Sequence, residues 1–203
     1  MPKMIDPWPT VIAVYNYTDD LTAIKKIIHE SNEKFPHGDY NTTRQGHQPQ
    51  YTVWPHQWQY PAWQPVQEFI MSSMKDYVKD VFNLTYPVKV NNSWTVTYHD
   101  GGYQEPHAHP HNDISCLFVV EPSTDGGEFV LVNPNSASSF TLFHPWAQVF
   151  NVKAGDLLVW PSWMTHYTKP TVGPNKKMII SMDSMLMPTE KDLEREAEKF
   201  YYE

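Results

Sequence analysis

Two stretches, GGYQEPHAHPHND (Gly101–Asp113) and VKAGDLLVWPSWMTH (Val152–His166), set the fold and the chemistry of this 203-residue chain. In the first, His107, His109, His111 and Asp113 recur at every second position. Side chains alternate along an extended backbone, so all four point to one face if the segment is a strand. Imidazole suits zinc, copper, iron and nickel, and a carboxylate beside it strengthens the case for iron or manganese. One strand end supplies two or three ligands and no closed shell. The second stretch offers the partner. Gly155 and Asp156 make a tight turn, Leu157–Trp160 is a short buried strand, and Pro161 turns the chain so that His166 opens another. A lone histidine after a strand is more often structural than a ligand. Paired with an HxH group 57 residues upstream inside an all-β pattern, it becomes specific.

Outward from these motifs the pattern is β-rich. Ser93–His99 alternates, and Ile114–Val120 (ISCLFVV) is wholly apolar. Gly127–Val132, Phe150–Val152, Asp156–Trp160 and Met178–Leu186 follow with Gly, Pro and Asn breaks between them. Upstream, Val11–Tyr17 is a strand candidate. A helix is predicted over Asp19–Lys34 and another over Pro65–Asn83, whose stripe from Val66 to Phe82 needs a sheet to cover. Residues 37–64 read as a long irregular segment pinned by Trp54, Trp58 and Trp63, a candidate wall over a site. Thr189–Tyr201 reads as a solvated terminal helix. The fold class is therefore mainly β with flanking helices. A single domain is expected: an N-terminal support region (1–87), a β core (88–187) and a C-terminal helix (188–203).

Composition narrows the function. The net charge is −8, which argues against a protein that works mainly by neutralising phosphates. Cys116 is the single cysteine, so neither a disulfide framework nor a four-cysteine zinc site can form; it reads as a small buried hydrophobe. The opening MPKMIDPWPT lacks an apolar leader core, and no apolar run is long enough to span a bilayer. A soluble, cytoplasmic, non-secreted protein without a membrane partner is expected, with a homodimer as the default assembly. Phosphate loops, nucleophile elbows and CxxC patterns are missing from the sequence.

The paired motifs resemble those of the double-stranded β-helix (jelly-roll) superfamily shared by cupins and Fe(II)/2-oxoglutarate-dependent oxygenases. Gly101–Asp113 is similar to the first cupin motif, a glycine, five residues, then HxH and an acid. Lys153–His166 is similar to the second, whose last histidine binds metal. Trp94–Leu186 more closely resembles a small 2-oxoglutarate–iron oxygenase family of phage and marine bacterial genomes. The matching features are His107-Ala108-His109-Pro110, Ser115 in an apolar strand, Gly155–His166, and a basic residue, Lys177, opening the last strand. The resemblance implies a cupin-like core supported by N-terminal helices, Fe(II) as cofactor, and 2-oxoglutarate and O2 as co-substrates.

It also implies site roles. His107, His109 and His166 would bind metal, with Asp113 as a fourth ligand or as a group orienting an imidazole. The HxD pattern common in the superfamily would instead point to His111 and Asp113; the loop length between strands and the H-x-H-P match favour His107 and His109. Lys177, where the family places an arginine, would hold the far carboxylate of 2-oxoglutarate as a point charge without a bidentate fork. Tyr98 would donate a hydrogen bond to the same carboxylate. The expected reaction is hydroxylation of a peptide, nucleoside or small molecule with decarboxylation of 2-oxoglutarate to succinate. The competing readings are a cupin-like binding module closed by three histidines and Asp113, and a virion-associated structural protein on the same scaffold. The remaining histidines, His29, His37, His47, His56, His99 and His144, lack ligand spacing and read as surface or structural.

Overall fold

Ile114–Glu121, Asp156–Pro161 and Lys177–Leu186 are buried at almost every position. Such runs need cover on both faces. The computed structural model describes residues 10–34, 36–48, 60–135, 145–174 and 176–202. In it these three strands lie together in a curled antiparallel sheet.

The strands in chain order are β1 (Ala13–Asn16), β2 (Gly38–Tyr40), β3 (Thr43–His47), β4 (Val88–His107), β5 (Ile114–Glu121), β6 (Asp125–Gly126), β7 (Phe129–Val132), β8 (Ala147–Phe150), β9 (Asp156–Pro161), β10 (His166–Thr168), β11 (Thr171–Val172) and β12 (Lys177–Leu186). The main sheet runs β1-β9-β5-β12-β4-β10-β7-β8, with the β2–β3 hairpin joined to β4 through β3. β6 and β11 form a separate two-stranded ribbon. With helices on one side of a curled antiparallel sheet, this is the expected double-stranded β-helix.

Strand parity separates two cores. Met178, Ile180 and Met182 of β12 share one apolar cluster with Cys116, Phe118 and Val120 of β5 and Leu157 and Val159 of β9. Helices α1 (Thr22–Asn32) and α2 (Gln64–Phe82) cover that face through Ile24, Ile28, Val66, Ile70 and Met74. The opposite parity, Ile179, Leu117, Val119, Leu158 and Trp160, packs with Val96, Tyr98, Phe129 and Leu131. That second face is the inside of the roll, and a cavity of about 530 Å³ opens from it.

Several boundaries differ from the sequence expectation. α1 begins at Thr22 rather than Asp19, because the Asp20 carboxylate accepts hydrogen bonds from the Thr22 backbone and hydroxyl. α2 matches to within a residue and ends on Asn83 in the left-handed conformation. β1 is trimmed to Ala13–Asn16, and the strand expected at Phe150–Val152 lies at Ala147–Phe150.

The largest difference is β4, a 20-residue strand where only Ser93–His99 was expected. It continues through Gly101, at φ +77°, and Gly102, where a Cβ would come 2.6 Å from the Gln45 carbonyl oxygen. The glycines let the strand bend without ending, which carries the HxH motif to its tip. The front of the supposedly irregular 37–64 segment is the β2–β3 hairpin, whose polar sequence has no apolar alternation. Asn41, Thr42 and Gln48 from this region do line the cavity, and Trp63 is buried against α1 and α2. Trp54, Trp58, His56 and His144 lie outside the described residues.

Candidate metal centre

His107 ends β4 and His166 opens β10, and the two are direct cross-strand partners. His109 follows two residues later, its backbone N–H donating 3.0 Å to the Ser162 carbonyl. Ser162 in turn donates its N–H to the Asp113 carbonyl at 3.0 Å. The Pro161–Trp163 turn thus holds the HxHP segment against the end of β9. One ring nitrogen from each of His107, His109 and His166 lies within 4.8 Å of the others, the only such group of ligating side chains among the described residues.

Each imidazole is fixed from behind. His107 Nδ1 donates to the Glu105 carbonyl at 2.7 Å, and His166 Nδ1 donates to the Met164 carbonyl at 2.9 Å. His109 Nδ1 sits 2.9 Å from Asp183 Oδ2. Carbonyl and carboxylate oxygens only accept, so each Nδ1 carries the proton and each Nε2 presents a lone pair. Nε2 of His109 and Nε2 of His166 are 3.1 Å apart. Two nitrogens about 2.1 Å from a cation and at right angles around it stand about 3.0 Å apart, so the spacing fits coordination. Burial and the neighbouring His107 hold the His166 imidazolium well below its ordinary range, and burial lowers that of His107. The neutral rings are the ligating form.

Asp183 is the residue of this cluster missing from the sequence reading. It lies on β12 with its side chain 4 % exposed, on the cavity-facing parity with Ile179 and Ser181. Its second oxygen accepts from the Ser115 hydroxyl at 2.7 Å, which lies 2.8 Å from the Ser162 hydroxyl. A carboxylate behind a ligating histidine fixes the ring and raises its basicity. The sequence signal was available: Ser181 and Asp183 are polar residues at period two following the apolar run Met178–Ile180.

Asp113 is not brought to the three imidazoles. Its carboxylate accepts from the Leu186 backbone N–H at 2.7 Å, and its own N–H donates to the Ser184 carbonyl. It pins the start of β5 to β12, so the four-ligand shell of the cupin-like reading lacks its acid. His111 is exposed, at φ +67°, as expected of a loop residue.

Tyr98 and Lys177 are cross-strand partners, both fully buried. The Tyr98 hydroxyl donates to Gln104 Oε1 at 3.1 Å and lines the main cavity. The Lys177 ammonium instead donates to the Gly127 carbonyl at 2.6 Å, beside a second cavity of about 190 Å³. It stands 5.8 Å from the Tyr98 ring centre. Burial pulls its pKa down to about 7.

Residues 92–183, the stretch that carries all three histidines and Asp183, match the family model described as "Putative 2OG-Fe(II) oxygenase". This segment, a little under half of the chain, is similar to the 2OG-Fe(II) oxygenase family. Solved structures agree on the fold. A Pseudomonas putida prolyl-4-hydroxylase superposes with a TM-score of 0.59 at 11 % identity, covering 88 % of this chain and 94 % of its own. HygX from Streptomyces hygroscopicus, with nickel and 2-oxoglutarate bound, gives 0.59 at 12 % identity, over 88 % and 83 %. A Trichoplax adhaerens prolyl hydroxylase in complex with a hypoxia inducible factor peptide fragment gives 0.59 at 13 % identity, over 92 % and 86 %. No curated protein matches the sequence. No described helix is long and apolar enough to cross a membrane.

Proposed function

We propose that this oxygenase uses His107, His109 and His166 to hold Fe(II) and couples decarboxylation of 2-oxoglutarate to hydroxylation of a separate substrate. The observation that carries the assignment is the convergence of three Nε2 lone pairs whose Nδ1 atoms are all occupied by fixed acceptors. Bound Fe(II) supplies the O2 chemistry that protein side chains lack. The ligand residues come from a strand tip and a strand start joined by backbone bonds, so they are placed before metal arrives.

The cavity beside them binds and orients. At about 530 Å³ it has room for a small dicarboxylate and part of a substrate. Its described lining contains neither Lys nor Arg. The far carboxylate of 2-oxoglutarate needs a cation, and Lys177 is the one fully buried Lys or Arg among the described residues. Lys177 serves by leaving the Gly127 carbonyl and turning toward the Tyr98 hydroxyl, which donates a hydrogen bond to the same carboxylate. Next in chain to Ser162, whose carbonyl holds His109, Trp163 is 57 % exposed. It forms an aromatic platform for the primary substrate, a peptide, nucleoside or small molecule.

Purified protein supplied with Fe(II), O2 and 2-oxoglutarate is expected to form succinate slowly without a primary substrate and faster with the right one. Absence of succinate across a broad substrate panel, with no 2-oxoglutarate binding by calorimetry, contradicts the proposal.

A further inference from the structure

A second histidine trio lies outside the centre described above. His47 ends β3, His99 sits on β4 immediately after Tyr98, and His37 precedes β2. β3 pairs with β4 so that His47 faces Thr97, which places His99 on its diagonal on the same face. His47 Nδ1 and His99 Nε2 are 2.8 Å apart. The His37 ring stands 4.2 Å from that of His99 and 5.5 Å from that of His47, and those two are 4.9 Å apart. The metal-centre trio has ring separations of 4.9, 4.4 and 4.9 Å; its ring nitrogens already converge, whereas those of the second trio converge only once the His37 ring turns.

The hairpin that carries His47 also lacks the usual anchor. No described residue from 36 to 48 joins either apolar cluster of the core. It is held to β4 by backbone pairing and by polar contacts such as the bidentate Arg44–Glu105 pair. Yet Asn41, Thr42 and Gln48 form part of the cavity wall. A segment that must hold position without apolar burial is where a metal cross-link contributes most.

We propose that His37, His47 and His99 form a second metal site that takes a divalent transition cation of the zinc, nickel or copper type and staples the β2–β3 hairpin to β4. Two nitrogens already stand at the separation of neighbouring ligands, and the exposed His37 completes the set by turning its ring. Imidazole donors select these borderline metals over magnesium or calcium. Lys176 is the nearby positive group acting on His99, so covalent nitrogen donation rather than charge holds the ion.

The test is equilibrium dialysis of the full chain against low-micromolar zinc. The wild type is expected to hold a second zinc beyond the one at His107, His109 and His166. His37→Ala/His99→Ala loses that second zinc only, and His107→Ala/His166→Ala retains it, so the two sites fail independently. His37→Ala alone, an exposed change that leaves the fold intact, weakens the second site roughly tenfold or more. Zinc also slows tryptic cleavage after Arg44 in the wild type and not in His37→Ala. Equal zinc content in wild type and His37→Ala/His99→Ala, or equal protection of Arg44 in wild type and His37→Ala, overturns the proposal.

Discussion

Asp183 Oδ2 lies 2.9 Å from Nδ1 of His109, so a buried carboxylate on the last strand sets the direction in which the middle imidazole of the trio points. The same carboxylate is held by Ser115, which ties the orientation of His109 to β5 and the Ser162 turn. Asp183→Ala is expected to weaken Fe(II) binding by roughly 10–100-fold. Asp183→Asn, which keeps an acceptor for Nδ1–H, is expected to lose less. Metal affinity measured anaerobically distinguishes the two; equal loss would mean that charge, and not orientation, matters.

Asp113 makes the opposite prediction. Removing its carboxylate leaves the Leu186 N–H without its acceptor at an exposed position, costing about 1 kcal/mol of stability. Asp113→Ala should therefore shift the denaturant midpoint slightly and leave Fe(II) affinity unchanged. A large loss of metal would restore Asp113 as a ligand.

Lys177 gives a pH prediction with a definite sign. Burial lowers its pKa from 10.5 to about 7, so at pH 8 the folded protein holds it mostly neutral. If the 2-oxoglutarate carboxylate binds the charged form, binding at pH 8 takes up close to one proton, and binding well below pH 7 takes up none. Calorimetry in buffers of different ionisation enthalpy reads this directly, and the uptake should vanish in Lys177→Met.

The same burial has a cost in stability. Between about pH 7 and 10.5 the unfolded chain binds more protons at Lys177 than the folded one, so stability contributed by this group rises with pH across that window. Lys177→Met is expected to be at least as stable as the wild type near pH 7 while losing 2-oxoglutarate affinity. A variant that unfolds instead would show that Lys177 is chiefly structural.

Two glycines separate backbone strain from crowding. Gly101 has φ +77° with open space at its Cβ position, so Gly101→Ala should cost about 1–2 kcal/mol. Gly155 has φ +86° and a Cβ there would overlap the Tyr17 carbonyl oxygen, whose neighbour Tyr17 N–H bonds Gly155 O. Gly155→Ala should cost clearly more, as measured by thermal or denaturant unfolding.

Much of this was legible because local pattern and tertiary role agree. β5, β9 and β12 read as apolar runs since both of their faces are covered, and α2 reads as a stripe since only one of its faces is. His107, His109 and His166 stand out because ligands at a strand tip need period-two spacing and a second element. Asp183 did not stand out, because its partner His109 is remote in sequence and strand pairing alone brings them together. The His37, His47 and His99 group is hidden for the same reason. The β2–β3 hairpin was missed because its strands carry polar residues and two glycines, stabilised by pairing with β4 rather than by an apolar face. The strand expected over Ser93–His99 passes on through the bend at Gly101–Gly102.

The central claim is that His107, His109 and His166 hold one Fe(II) with room left for 2-oxoglutarate. Anaerobic titration with Fe(II) and then 2-oxoglutarate, followed by visible absorption, tests it most directly. A weak charge-transfer band reaching its maximum at one iron per chain, and abolished by His107→Ala, His109→Ala or His166→Ala, is the predicted result. A band that survives all three substitutions, or no band from the correctly folded wild type, would contradict it.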